Sequence, residues 1–315
     1  MTTPVDLTDA GNHLSAQLDG VEVFRYVYDD STDQMESPRP HLHPLRSLGG
    51  DVVSIYRPHD HLWHRGISLA LPNVGEHNFW GGVTYTREQG YVQLPNNGRT
   101  VNRGLDILAD GDFFEEVDWV TEPGDTIITE TRRVKAAGLG SPAGTGTKAW
   151  GLTWTSEWTN ATEAPITFGS PTTEGRPMAG YGGFFWRGPR DFTGAPVLAP
   201  ETTRPADYDA PDGVPEGVPE QMGTLAPWIG ITGKHDGSSG RSTFVMADSP
   251  TSTLGAGPWF VRSTPYACIS TAPFFFTERV LEPGATWHWR HQVAISTGAL
   301  DVAGAQSLVD AMTDL

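Results

Sequence analysis

Apolar and polar residues alternate along most of this chain in short runs, and that two-residue period constrains the fold more than any other feature. From His13 to Tyr28, Leu14, Ala16 and Leu18 are followed by Val21, Val23 and Val27, with Asp19-Gly20 between the two runs. A period of two is the repeat of a half-buried strand, and Asp-Gly between alternating runs signals a hairpin. The pattern returns at Phe113 to Thr121 and Thr126 to Ala136, separated by Glu122-Pro-Gly-Asp125, and again at Trp150 to Thr159. The last run is read with Trp150, Trp154 and Trp158 on one side and Leu152 on the other. Further runs cover Trp228 to Thr232, Ser242 to Ala247, Trp259 to Ser263, Ala267 to Thr271 and Trp287 to Ser296. With 37 glycines and 25 prolines to close the turns, such a chain predicts many antiparallel strands. Helical periodicity is confined to about 300–315, where Val302, Leu308, Val309, Met312 and Leu315 fall on an approximate 3.6-residue repeat. The expected fold is all-β: one large antiparallel β-sandwich domain over 1–315, with a mobile Pro- and acid-rich excursion at about 193–223 and a short C-terminal helix.

Charge and composition narrow the function. A formal charge of −17 repels phosphate backbones and anionic lipid, so neither nucleic acid nor a membrane surface is an expected partner, and a neutral or cationic ligand is favoured. The oligomeric state is left open. Cys268 is the only cysteine, so any metal must use histidine and carboxylate ligands. Neither a leader pattern at the start nor an apolar run of about 18 residues is found, which makes the cytoplasm the expected location. No phosphate-binding glycine motif sits between a strand and a helix, so no nucleotide cofactor is expected.

Six of the ten histidines lie between positions 41 and 77: His41, His43, His59, His61, His64 and His77. They are interleaved with Asp60, Arg65, Trp63, Asn78 and Trp80. Pro40, Pro44 and Pro58 exclude a helix here, so His41 and His43, like His59 and His61, fall at strand spacing on a shared face. His64 would point the other way unless the chain turns near Leu62 and Trp63. Imidazole titrates near neutral pH and is the commonest metal ligand, so the block reads as the floor of a site.

Arg39-Pro-His-Leu-His-Pro-Leu-Arg46, Asp60-His-Leu-Trp-His-Arg-Gly66, Asn78-Phe-Trp80, Glu174-Gly-Arg176, Gly180-Tyr-Gly-Gly-Phe-Phe-Trp-Arg-Gly-Pro189, His235-Asp-Gly237, Trp259-Phe-Val-Arg262 and Leu281-Glu-Pro-Gly284 together resemble the PmoA-like family of bacterial proteins. The family label points to a methane monooxygenase subunit, which is a multi-span membrane protein, and no spanning segment occurs here. What the resemblance implies is a supersandwich similar to galactose mutarotase and an association with sugar catabolism.

Three readings of the histidine block are open. In the first, His61 and His64 form an acid/base set with Glu174 on a sugar, with Arg65 polarising an oxygen. In the second, His41, His43, His59 and His61 hold a divalent metal, the one cofactor entertained. In the third, the histidines fix loops through backbone hydrogen bonds. The first is preferred, and its partner is a small carbohydrate. His41, Asp60, Trp63, His77, Asn78, Trp80, Arg176, Trp186, Trp259 and Arg262 are the expected binding residues, because aromatic faces stack on a pyranose while charged groups meet its hydroxyls. Epimerisation, elimination or cleavage, on a sugar or a keto-glycoside, suits proton transfer. A non-catalytic sugar-binding protein is the alternative. Ordinary glycoside hydrolysis fits less well, since it needs two flanking carboxylates and only Glu174 stands out.

Overall fold

The computed structural model describes residues 2–142, 144–206, 208, 218–313 and 315. It is built from two large antiparallel sheets. One runs in the order Arg99–Ile107, Asp112–Val120, Thr126–Gly140, Ala149–Asn160, Thr286–Thr297, Arg241–Asp248, Trp228–Lys234 and Val197–Leu198, with Thr3–Pro4 also paired to Thr126–Gly140. The other runs Trp259–Arg262, Cys268–Thr271, Gly183–Arg187, Ile67–Ala70, His41–Leu45, Val21–Val27, His13–Leu18 and Asp6–Asp9. The expected first hairpin is present, turning at Asp19 and Gly20, both with positive φ. Part of the expected excursion, residues 207 and 209–217, lies outside the described residues. On either side of it the chain is tied in, since Thr203 and Leu225 form a bridge.

The sheets face each other across one continuous apolar core. Trp154 meets Phe184 at 5.3 Å between ring centroids, and Trp186 stacks on Phe244 at 4.0 Å. Along Ala149–Asn160, Trp150, Leu152, Trp154 and Trp158 all enter this core. The placement of Leu152 opposite the tryptophans is therefore corrected: residues two apart on a strand share a face. Charge also enters the core. Arg132, 2% exposed, donates to Glu130 at 2.8 and 2.9 Å and to Glu115 at 3.1 Å, so each buried ion has a partner.

The outer face of the larger sheet is covered by the C-terminal helix Val302–Ala311, whose Ala305 and Leu308 pack on Trp228, Val245 and Ala294. Asp301 caps its first turn, accepting from the Gly304 N–H at 2.9 Å. The outer face of the second sheet carries a separate apolar cluster that includes Trp80, Phe185, Phe260 and Cys268. The candidate site lies there. It is rimmed in part by the small hairpin Thr84–Thr86 and Gly90–Val92, which brings Tyr91 to its edge.

Candidate active site

A cavity of about 410 Å³ opens over the second sheet. Strand alternation decides which side chains it receives. In Gly183–Arg187, Phe184 and Trp186 enter the core between the sheets, so Phe185 and Arg187 fall on the cavity side. In Trp259–Arg262, Trp259 and Val261 enter the core while Phe260 and Arg262 line the cavity. The histidines come from a loop. Hydrogen bonds from His61 N–H to the Pro58 carbonyl and from His64 N–H to the His61 carbonyl, at 2.9 and 3.0 Å, wind Pro58 to His64 through two successive turns. His61 and His64 thereby reach the same side, with rings stacked at 4.6 Å. At Gly66 the chain re-enters the sheet with φ of +39°, where a Cβ would lie 2.0 Å from the Leu42 carbonyl oxygen. Only glycine fits that position.

The two rings are held in opposite hydrogen-bonding states. Arg187 donates from Nη1 to His64 Nδ1 at 2.7 Å. A guanidinium only donates, so Nδ1 must accept, and the neutral ring carries its proton on Nε2. His64 is 2% exposed, and burial, with His61 and Arg187 nearby, holds its pKa well below the ordinary histidine range. His64 thus presents an Nε2–H donor. His61 has Asp60 Oδ2 3.0 Å from its Nδ1. The carboxylate accepts that proton, leaving the Nε2 lone pair of His61 available as a base. Partial burial lowers the His61 pKa against the opposing pull of Asp60, so the ring is neutral at pH 7. Asp60 itself is kept ionised: burial pushes its pKa up, but hydrogen bonds from His61, Arg187 and Arg190 outweigh that and hold it well below the usual carboxylate range. Arg187 also lies over the Tyr266 ring, 3.5 Å from its centroid.

Two buried arginines hold the walls. Arg39 donates to the carbonyls of Trp63 at 2.6 Å and Trp80 at 3.1 Å. Arg65, fully buried, donates to the carbonyls of Trp63 and Glu36 at 3.1 and 3.0 Å and pairs with Asp30 at 2.5 Å. Asn78 accepts from the N–H groups of Trp80 and Gly81 at 2.8 and 2.9 Å, fixing the turn that presents the Trp80 ring.

A family model described as a family of unknown function, DUF6807, matches residues 13–310. The chain belongs to that family. No curated protein matches the sequence of this DUF6807 chain. Among solved structures it is similar to an α-galactosidase from Lactobacillus brevis, at 9% identity and a TM-score of 0.43 over 94% of this chain and 39% of that one. It is likewise similar to a galactose mutarotase-like protein from Clostridium acetobutylicum, at 12% identity and a TM-score of 0.39 over 93% of this chain and 98% of that one. A Synechocystis protein aligns at 8% identity and a TM-score of 0.39, over 95% of this chain and 96% of that one. The DUF6807 chain spans about two fifths of the α-galactosidase's length. Among the described residues no helix is long and apolar enough to cross a membrane.

Of the residues expected at the site, the DUF6807 fold brings His61, His64, Trp63, Trp80, Arg176 and Arg262 to the cavity, with Asp60 directly behind His61. Others lie elsewhere. Glu174 lines a different cavity, with Glu76 and His77, so it is not the partner of His61 in the main one. Arg65 is spent on Asp30, Glu36 and backbone carbonyls and does not line the cavity. Trp186 and Trp259 are core residues, their indole N–H groups bonded to the Val53 and Ala226 carbonyls. Asn78 acts through the turn it holds. His41 is buried against Tyr56 with its Nδ1 at the Arg39 carbonyl, whereas His43 bonds Ser54 and His59 bonds Arg190. The metal set His41, His43, His59 and His61 is therefore not assembled, and among the described residues no three His, Cys, Asp or Glu side chains converge as ligands. Arg187, Arg190, Tyr91, Tyr181, Phe185, Phe260 and Tyr266 belong to the site or its support without having been singled out for it. Cys268 lies fully buried in the cavity floor, where burial pushes its thiol pKa up to about 12.

Proposed function

We propose that this protein binds a monosaccharide-sized carbohydrate or sugar derivative and moves a proton on it, with His61 Nε2 as the base and the His64 Nε2–H as the hydrogen-bond donor. The observation that carries this reading is the pair of stacked imidazoles locked in opposite states, one backed by Asp60 and the other by Arg187. Aromatic walls from Trp63, Trp80, Tyr181 and Phe260 suit the apolar face of a pyranose. On a free sugar, His61 would take the anomeric hydroxyl proton while His64 bonds the ring oxygen; as the ring C–O bond breaks, His61 passes that proton to the ring oxygen, giving the open-chain hydroxy-aldehyde with no net proton change. On a keto-glycoside, His61 would remove the acidified C–H proton beside the ketone and His64 would bond the developing enolate oxygen. The proton on His61 then passes to the departing glycosidic oxygen, so an enone and an alcohol result with no net proton change. Glu174 has no part in either course, and neither course draws on a cofactor. The wider setting is the one the motif resemblance implies, a PmoA-like role in sugar catabolism, carried out in the cytoplasm by one β-sandwich domain.

The test follows simple sugars and their keto-glycosides by NMR in D₂O, for the wild type and for His61→Gln, with and without chelator. Turnover should fall by about 10²-fold or more in His61→Gln while binding persists. Unchanged turnover rejects His61 as the base, and binding without turnover in the wild type would make this a sugar-binding protein. Silence with every sugar refutes the carbohydrate reading, and activity abolished by chelator would favour a metal-dependent course.

A further inference from the structure

We infer that the sugar taken by this cavity carries an anionic group, a carboxylate or a phosphate, received by Arg176 and Arg262. The inference rests on the carbohydrate reading for the sugar but not for the anion. Although acidic residues outnumber Lys and Arg by 38 to 21 in the chain, no Asp or Glu lines this cavity. Asp60, just behind it, is already matched by His61, Arg187 and Arg190. Arg262 lies 5.4 Å from the Phe260 ring centroid and, among the described residues, its guanidinium has no ion-pair or hydrogen-bond partner. Arg176 stacks at 4.9 Å on the ring of Tyr91 and donates to that phenol oxygen, again with no carboxylate among the described residues.

Hydrogen-bonding capacity points the same way. The cavity is rich in donors: two guanidinium groups and the His64 Nε2–H. Its side-chain acceptors are few, chiefly His61 Nε2 and the phenol oxygens. A neutral sugar offers as many hydroxyl donors as acceptors and would leave much of that capacity unmet. A carboxylate or phosphate supplies acceptors only, matches the planar fork of arginine, and relieves two positive charges held against aromatic walls. The charge of −17 does not oppose this, because distant surface charges are screened beyond about 8 Å at physiological salt.

Calorimetric titration at physiological ionic strength with D-glucose, D-glucuronate, D-glucose 6-phosphate and cyclohexanecarboxylate tests the inference on the wild type, Arg262→Gln and Arg176→Gln. At least one charged sugar should bind about tenfold or more tighter than glucose, and that gap should close in both variants while melting temperature holds. Which charged sugar gains distinguishes carboxylate from phosphate. Glucose within about threefold of both charged sugars overturns the inference and leaves the carbohydrate reading standing. Cyclohexanecarboxylate binding as tightly as glucuronate supports the anion site and overturns the carbohydrate reading instead. If none of the four binds, both fall.

Discussion

Replacing Arg187 by Met removes the group that fixes the tautomer of His64 while roughly keeping its length. Arg187 is 1% exposed and touches three partners: His64 Nδ1 at 2.7 Å, Asp60 Oδ2 at 3.1 Å and the Tyr266 ring at 3.5 Å. Asp60 keeps Arg190 and is about a third exposed, so its share of the loss is under about 1 kcal/mol. His64 Nδ1 loses its only donor among the described residues, about 1–3 kcal/mol, and the desolvated cation–π contact contributes about 2 kcal/mol. Relief of the cost of burying a guanidinium offsets part of this, leaving an expected net loss of about 2–4 kcal/mol. Arg187→Lys keeps the charge without the fork and should fall between the two. Urea unfolding gives the stability change, and ¹⁵N NMR of the imidazoles reports the tautomer of His64. The wild type should show a proton on Nε2 alone, and Arg187→Met a mixture. A loss under about 1 kcal/mol with His64 still purely in the Nε2–H form would refute the assignment of Arg187 as the group that sets the tautomer.

Two further expectations follow from strand alternation and from burial. Trp186→Ala should cost about 3–5 kcal/mol of stability and leave ligand affinity unchanged where folded, whereas Phe185→Ala should weaken binding at the cavity; equal effects on binding would contradict the assignment of faces. Burial lowers the His43 pKa to about 4, below the 6.5 of the unfolded chain. The unfolded state therefore binds the proton first: stability is full above pH 6.5 and is lost as pH falls toward 4, by about 2 kcal/mol at pH 5 from this residue. His41, whose pKa burial likewise lowers, to about 3, adds to the same acid weakening. Urea melts at pH 7 and pH 5 measure it, and a His43→Asn variant with an undiminished pH dependence would exclude His43 as a source.

The fold class was legible because period-two patterning and turn residues are local signals, and the first hairpin and the C-terminal helix show the same legibility. The site was legible where its residues are contiguous: His61, His64, Trp63 and Asp60 sit on one loop. It failed where face had to be inferred. Trp259 and Arg262 are three apart on one strand and so lie on opposite faces, yet both were assigned to the site. The same parity moved Trp186 into the core and Phe185 and Arg187 out of it. Arg187 carried no local mark beyond its motif, because its importance comes from His64, 123 positions away in sequence. Glu174 was chosen as the remaining carboxylate, whereas the carboxylate that meets His61 is its neighbour, Asp60.

The strand Gly183–Arg187 has a consequence for how the chain finds its pairing. A slip of one position against Ile67–Ala70 would turn Arg187 and Phe185 inward and present Phe184 and Trp186 to solvent. A guanidinium would then sit among the core rings without a partner, at a cost of several kcal/mol on top of the lost apolar burial. The residue that sets the chemistry of His64 thus also penalises misregistered sheets, and a mutation at position 187 to an apolar residue would remove a proofreading step from folding as well as a donor from the cavity.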